Sequence, residues 1–281
     1  MATNAHLLLT TRLRASIQPA TVNVVTAPDG RTHALPGQGG VLTNIALGSL
    51  AANWHGDHVE PGVSLGHADP AANHAIRLFS CVGNRLTVLD GPAAGATGMV
   101  FGKHGAVLGM FAPETLVLLA PGEHIAIEAN GVGLALNDMS DVTCHSLSPA
   151  LFDALVQLKG DRLRIPVAAI LPSIAAAAGI GMPAAMFNMD LHHSGTELAE
   201  AASRLRFGDI VAVRDQDHRY GRQHRPGWMM VGIVSHGRAL GGGHGLGLMT
   251  LLTAPAARFD LVESADARLD RLLPLPFGAA T

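Results

Sequence analysis

Glycine and proline punctuate this chain every few residues, with 33 Gly and 16 Pro in 281 positions. Each tends to end a helix or mark a turn, so only short runs survive between them and long amphipathic helices are excluded. The surviving runs are apolar or alternating, the signature of β structure. They predict strands over 21–25, 84–89, 98–101, 115–119, 124–129, 166–171, 209–214, 229–235 and 250–253, with a first strand or ordered arm within Met1–Arg14. Two segments read as helices. One runs from Pro149 to Gly160 behind a Ser148 N-cap, and the other from Thr196 to Leu205. The first divides the chain into a β-rich lobe over 1–148 and another over 149–281, either as separate lobes or as one compact unit with the site between them.

Charge narrows the range of partners. Lys and Arg total 19 against 22 Asp and Glu, a net charge of -3, so no field draws in nucleic acid or an anionic membrane surface. A small-molecule substrate and further copies of the chain, in a homo-oligomer, are the expected partners. The uncharged stretch Ile165–Phe187 is interrupted by Pro166, Pro172, Gly179, Gly181 and Pro183, which argues for a buried strand and a glycine-rich loop rather than a membrane span. Leu7–Leu9 is too short for a signal-peptide core. Cys81 and Cys144 are far apart and form neither a zinc ribbon nor a disulfide scaffold, so a reducing cytoplasm is expected.

Histidine is the enriched chemistry-bearing residue, 15 in all, and imidazole is both proton carrier and metal ligand. The loop "NWHGDHVEPG", 53–62, places His55, Asp57, His58 and Glu60 within six residues, a density that can converge on a divalent ion with N/O ligands; His67 and Asp69 lie within reach. A polar surface turn is the alternative. The second cluster, "GDIVAVRDQDHRYGRQHRPG", 208–227, delivers Asp215, Asp217, His218, Arg219, Tyr220, Arg222 and His224 at the end of a strand, where scaffolds commonly present catalytic groups. Its alternative is a solvated turn stitched by Arg/Asp pairs. The third element, "ALGGGHGLG", 239–247, follows Ser235–His236 and offers backbone N–H groups around Gly243 and His244. It spells neither a P-loop nor a dinucleotide fingerprint. Lys103, one of two lysines, sits beside His104 in "GKHG" and either anchors a substrate carboxylate or is solvated.

Over most of 55–255 the chain resembles a bacterial and archaeal family labelled as a domain of unknown function, with a cyclophilin-like β fold. The resemblance rests on "HVEPGVSL" (58–65), "GNRLTVLDGPAAGATGMVFGKHG" (83–105), "GDIVAVRDQDHRYGR" (208–222) and "GHGLGLMTLLTAP" (243–255). It implies a mainly β fold, a cyclophilin-like barrel or sandwich with a few short helices. A remoter likeness links Asn188, Met189, Asp190, Gly208, Asp209, Ala212 and Asp217 to the acetamidase/formamidase pattern. That pattern's Gly-Asp-Gly-Glu here reads Gln216-Asp217-His218-Arg219.

The resulting expectation is a metal-dependent hydrolase of a C–N bond in a small, linear or cyclic amide. Its divalent ion, zinc or manganese, is expected on His55, Asp57, His58 and Asp190. Asp217, His218, Asp215, Arg219, Arg222 and Tyr220 are the expected catalytic groups, and Asn188, Gly243, His244 and Lys103 the substrate contacts. Two alternatives stand beside it: a metal-independent acid/base lyase or isomerase on an anionic substrate, and a non-catalytic small-molecule-binding protein.

Overall fold

The structure, a computed structural model, describes residues 2–27, 29–177, 179–192, 196–239 and 243–274. It is mainly β. In the first half the strands are β1 (Thr11–Ile17), β2 (Thr21–Thr26), β3 (Thr32–Gln38), β4 (Val41–Leu42), β5 (Gly62–Gly66), β6 (Arg85–Val88), β7 (Thr97–His104), β8 (Ala106–Met110) and β9 (His124–Ala129). The order β1-β9-β6-β7-β8-β5 closes on itself, because Ser16 and Ile17 of β1 pair with Gly66 and Leu65 of β5. The result is a six-stranded barrel without free edges. β2 and β3 form a separate hairpin.

The second half carries β10 (Thr143–Cys144), β11 (Gln157–Lys159), β12 (Arg162–Val167), β13 (Ala169–Leu171), β14 (Met189–Asp190), β15 (Ile210–Asp217), β16 (Gln223–His236), β17 (Gly247–Pro255) and β18 (Phe259–Glu263). One sheet runs β10-β17-β16-β15-β13, with β14 on β17, and a three-stranded sheet runs β11-β12-β18. The central strands are buried on both faces. Ile210 and Ala212 of β15 join the large core shared with the barrel, while Val211 and Val213 join a second core with Ile45, Val59 and Leu248. A sheet covered on both sides needs no polar alternation, which is why these strands read as continuous apolar runs.

Five short helices complete the described fold: α1 (Pro70–Phe79), α2 (Pro113–Leu116), α3 (Pro149–Leu155), α4 (Thr196–Arg204) and α5 (Leu269–Leu272). α1 was not foreseen. Asp69 caps it by accepting from the Ala72 N–H at 2.8 Å, Pro70 supplies the helical φ, and Ile76 is buried. The strand expected at 115–119 is instead α2 and the turn after it. Pro113 opens that turn, and the Leu116 N–H closes on Ala112 O at 2.9 Å. The expected strand 166–171 breaks at Ala168, since β12 pairs in parallel with β18 and β13 with β15. α3 keeps its Ser148 cap but stops at Leu155, and β11 follows. No helix among the described residues is long and apolar enough to cross a membrane.

The barrel and the second sheet approach each other closely at Gly102, where an added Cβ would lie 2.6 Å from the Ser235 Cβ. That approach brings the C-terminal ends of β7 and β16 together, and with them His104 and His236.

Candidate metal centre

Strand ends and two loops deliver the site. His58 lies in the loop before β5, in a left-handed conformation (φ 53) that is unusual for a side chain with a Cβ. His104 ends β7, Asp190 ends β14, His236 ends β16, and His244 sits between β16 and β17. Ring centroids are 4.2 Å apart for His104 and His236, 4.9 Å for His58 and His104, and 5.0 Å for His58 and His236. His244 stands 4.9 Å from His58 on another side.

Each of the three inner rings is anchored through Nδ1. His58 Nδ1 donates to Asp57 Oδ1 at 2.7 Å, His104 Nδ1 to Glu60 Oε1 at 2.6 Å, and His236 Nδ1 to Gly237 O at 2.7 Å. Glu60 is held in turn by the Ser64 hydroxyl at 2.5 Å and the Gly39 N–H at 3.2 Å. Such anchoring fixes the tautomer and leaves Nε2 as the lone-pair nitrogen, the second layer of support that metal-ligating histidines carry. Burial, with the neighbouring His236 and His104, pushes His58 down to about 4, outweighing Asp190 and Asp57. Burial and His104 lower His236 as well, against the opposing pull of Asp190. His58 and His236 are therefore neutral near pH 7.

Burial favours the neutral form of Asp190, yet the surrounding His236, His244 and His58 hold its carboxyl well below the usual range. Its Oδ1 lies 3.3 Å from His236 Nε2 and its Oδ2 3.9 Å from His58 Nε2. These contacts set imidazole lone pairs against carboxylate lone pairs, an arrangement that a shared cation relieves. A tetrahedral ion with bonds of about 2.0–2.1 Å has ligand–ligand edges of roughly 3.3–3.4 Å, which the His236–Asp190 separation matches and the His58–Asp190 separation exceeds. The Asn188 amide donates to Asp190 Oδ1 at 2.9 Å and also contacts His236 Nε2, so coordination there requires this amide to turn aside. His58, Asp190 and His244 also bring ligand atoms within 4.8 Å of one another. However, His244 Nδ1 is 2.6 Å from Asp190 Oδ2, a hydrogen-bond distance too short for an edge between two ligands.

The expected site residues fall into separate places. His58, Asp190, His244 and Asn188 come together. Asp57 supports His58, and His55 is exposed. His67 and Asp69 serve the start of α1, where the Asp69 N–H donates to His67 Nδ1 at 3.0 Å. The 215–220 segment forms its own network. Asp217 accepts from Arg219 Nη2 at 2.8 Å and Arg225 Nη1 at 3.0 Å, and both guanidiniums stack over Trp228. Asp215 takes a left-handed φ of 57 at a bulge and accepts from the Gly227 N–H, while Tyr220 is 85% exposed. His218 is buried, with Nδ1 2.8 Å from the Thr250 hydroxyl. Burial, with Arg222 and His145 beside it, pushes it down to about 3. Arg222 lies near Asp190 and shares a cavity with it. Lys103 is wholly buried and donates to Ala185 O at 2.6 Å and Ser146 Oγ at 3.0 Å, with burial lowering it to about 8. Gly243 has open space about its Cα, and 241–242 lie outside the described residues.

His104, Glu60 and His236 are the members that sequence reasoning left unassigned or in reserve. Two local signals point to them: Glu60 lies in the 53–62 loop, and the Lys103–His104 pair sits at a strand end, where alternation sends its two side chains to opposite faces.

Residues 25–153 match the domain of unknown function (DUF4438), N-terminal, and residues 154–273 match the DUF4438 C-terminal domain. The chain belongs to the DUF4438 family. A crystal structure, that of TM1086, is similar to it, at 34% identity over 97% of this chain and 99% of that chain, with a TM-score of 0.90. No curated protein matches the chain. The remoter likeness to acetamidases and formamidases finds no support among these matches. The changeover between the two DUF4438 segments falls within α3, so the cluster draws His58 and His104 from one segment and Asp190, His236 and His244 from the other.

Proposed function

We propose that this DUF4438 protein is a divalent-metal-dependent hydrolase of a C–N bond in a small, linear or cyclic amide. The observation that carries the reading is the convergence of His58 and His236 on Asp190, with His104 packed against both rings and all three imidazoles anchored through Nδ1. A nitrogen-rich set with one carboxylate suits zinc better than manganese. When bound, the ion polarises a substrate carbonyl and lowers the pKa of water.

The remaining work falls to the protein's own groups. His244 is partly exposed at the rim, and its Nδ1 is turned to Asp190 Oδ2. That leaves Nε2 facing outward, in the tautomer that takes a proton from an attacking water and returns it to the leaving nitrogen. Asn188 has an amide that can hold a substrate oxygen once turned from His236.

Metal analysis of the purified full chain tests this, with turnover of a panel of small linear and cyclic amides before and after chelation. The expected result is about one ion per chain and hydrolysis that is lost on chelation and restored by zinc. A chain without affinity for any divalent ion refutes the reading, and full turnover after exhaustive chelation selects metal-free acid/base chemistry instead.

A further inference from the structure

A cavity of ≈ 300 Å³ opens beside the cluster, and His104, Asn188, Asp190 and Arg222 all line it. Arg222 is 2% exposed and among the largest fully buried side chains of the protein. The backbone is shaped to admit it. Gly179 has a φ of +108, and a Cβ there would lie 1.8 Å from Arg222 Nη1 and 2.6 Å from Cζ. Any other residue at 179 would displace the guanidinium, and its own backbone conformation would be strained. Burial brings Arg222 down to about 10, with Asp190 opposing, so it keeps its charge at neutral pH. Met182 and Phe187 add apolar surface to the same cavity. A planar guanidinium matches a carboxylate through two parallel hydrogen bonds.

We infer that this cavity is a carboxylate subsite: the substrate carries a carboxylate that Arg222 binds, with its carbon skeleton against Met182 and Phe187 and its reacting group at the His/Asp cluster. The inference rests on the hydrolase reading for the reaction, but not for binding.

Calorimetry on the zinc-loaded full chain tests it with two probes of matched shape, succinamate (one carboxylate) and succinamide (neutral). The wild type is expected to bind succinamate about tenfold or more tighter. Arg222→Met is expected to abolish the preference and Arg222→Lys to keep part of it. Gly179→Ala, which keeps the charge but fills the guanidinium's place, is expected to weaken it. Zinc stoichiometry and thermal unfolding are measured for every variant; if Arg222→Met does not fold, Arg222→Lys and Gly179→Ala decide.

Equal binding of the two probes by the wild type, or no binding of succinamate, overturns the inference. So does a preference that persists in the folded Arg222 and Gly179 variants, since the carboxylate then sits elsewhere. The two readings fail separately. Preferential binding of succinamate without hydrolysis of any amide keeps the subsite and removes the hydrolase, whereas hydrolysis with no preference for carboxylates removes the subsite and keeps the hydrolase.

Discussion

A histidine's role here is decided by what its Nδ1 touches. His58, His104 and His236 are anchored rings, whereas His244 is tied to Asp190 and partly exposed. Two substitutions should therefore separate binding from proton transfer. Asp190→Asn is expected to lose both the metal and turnover. His244→Ala should keep near-stoichiometric metal while kcat falls by roughly 10²–10⁴-fold, as read by metal analysis beside steady-state kinetics. Asp217 is a contrasting case. Burial alone would raise its pKa, but hydrogen bonds from Arg219 and Arg225 bring it down to about 2. A depressed carboxylate stabilises the fold above its unfolded value near 4, and the contribution is lost as pH falls toward 2. With Arg225 half-exposed, screening reduces this to about 1–2 kcal/mol. Urea unfolding between pH 6 and 2 should show a shallower slope in Asp217→Asn than in the wild type, and the variant's zinc stoichiometry should be unchanged. Zinc loss in Asp217→Asn would tie Asp217 to the centre.

The strands matter for where they end. β16 runs 14 residues and terminates in His236 with its imidazole packed over Gly247 of β17; a Cβ at 247 would lie 2.0 Å from His236 Nε2. Gly247→Ala is expected to push the ring out of register and weaken zinc binding about 10- to 100-fold without unfolding the sheet, as measured by zinc titration calorimetry and thermal unfolding. Unchanged affinity would show that His236 is not a ligand. The existence of β15, β16 and β17 is legible in their apolar runs. Their neighbours are less so, because a strand buried on both faces carries no alternating pattern to say which face meets which core. α1 was missed for a local reason: its N-cap signal, Asp69–Pro70, lies beside a histidine-rich loop and reads equally well as a turn or a ligand segment.

At the scale of the whole molecule the two DUF4438 segments are interdependent. One core joins Ile17, Leu65 and Phe101 of the barrel to Ile210, Val231 and Leu251 of the second sheet, and the His/Asp cluster straddles the same junction. The segments 1–153 and 154–281, expressed separately, are expected to lack cooperative unfolding and zinc binding, whereas the full chain should unfold in one transition; calorimetry and metal analysis of the three would show this. Zinc binding by either segment alone would dissociate the centre from the junction. What the amino-acid order determined by itself was local: glycine and proline limit the lengths of elements, apolar runs make them β, and "HGDH" announces chemistry. What only the tertiary structure decided was convergence. His58, His104, Asp190, His236 and His244 span nearly 190 positions, and nothing in their spacing links them. Closure of the barrel and the close approach at Gly102 and Ser235 do, because the ends of packed strands meet at points that local periodicity does not encode.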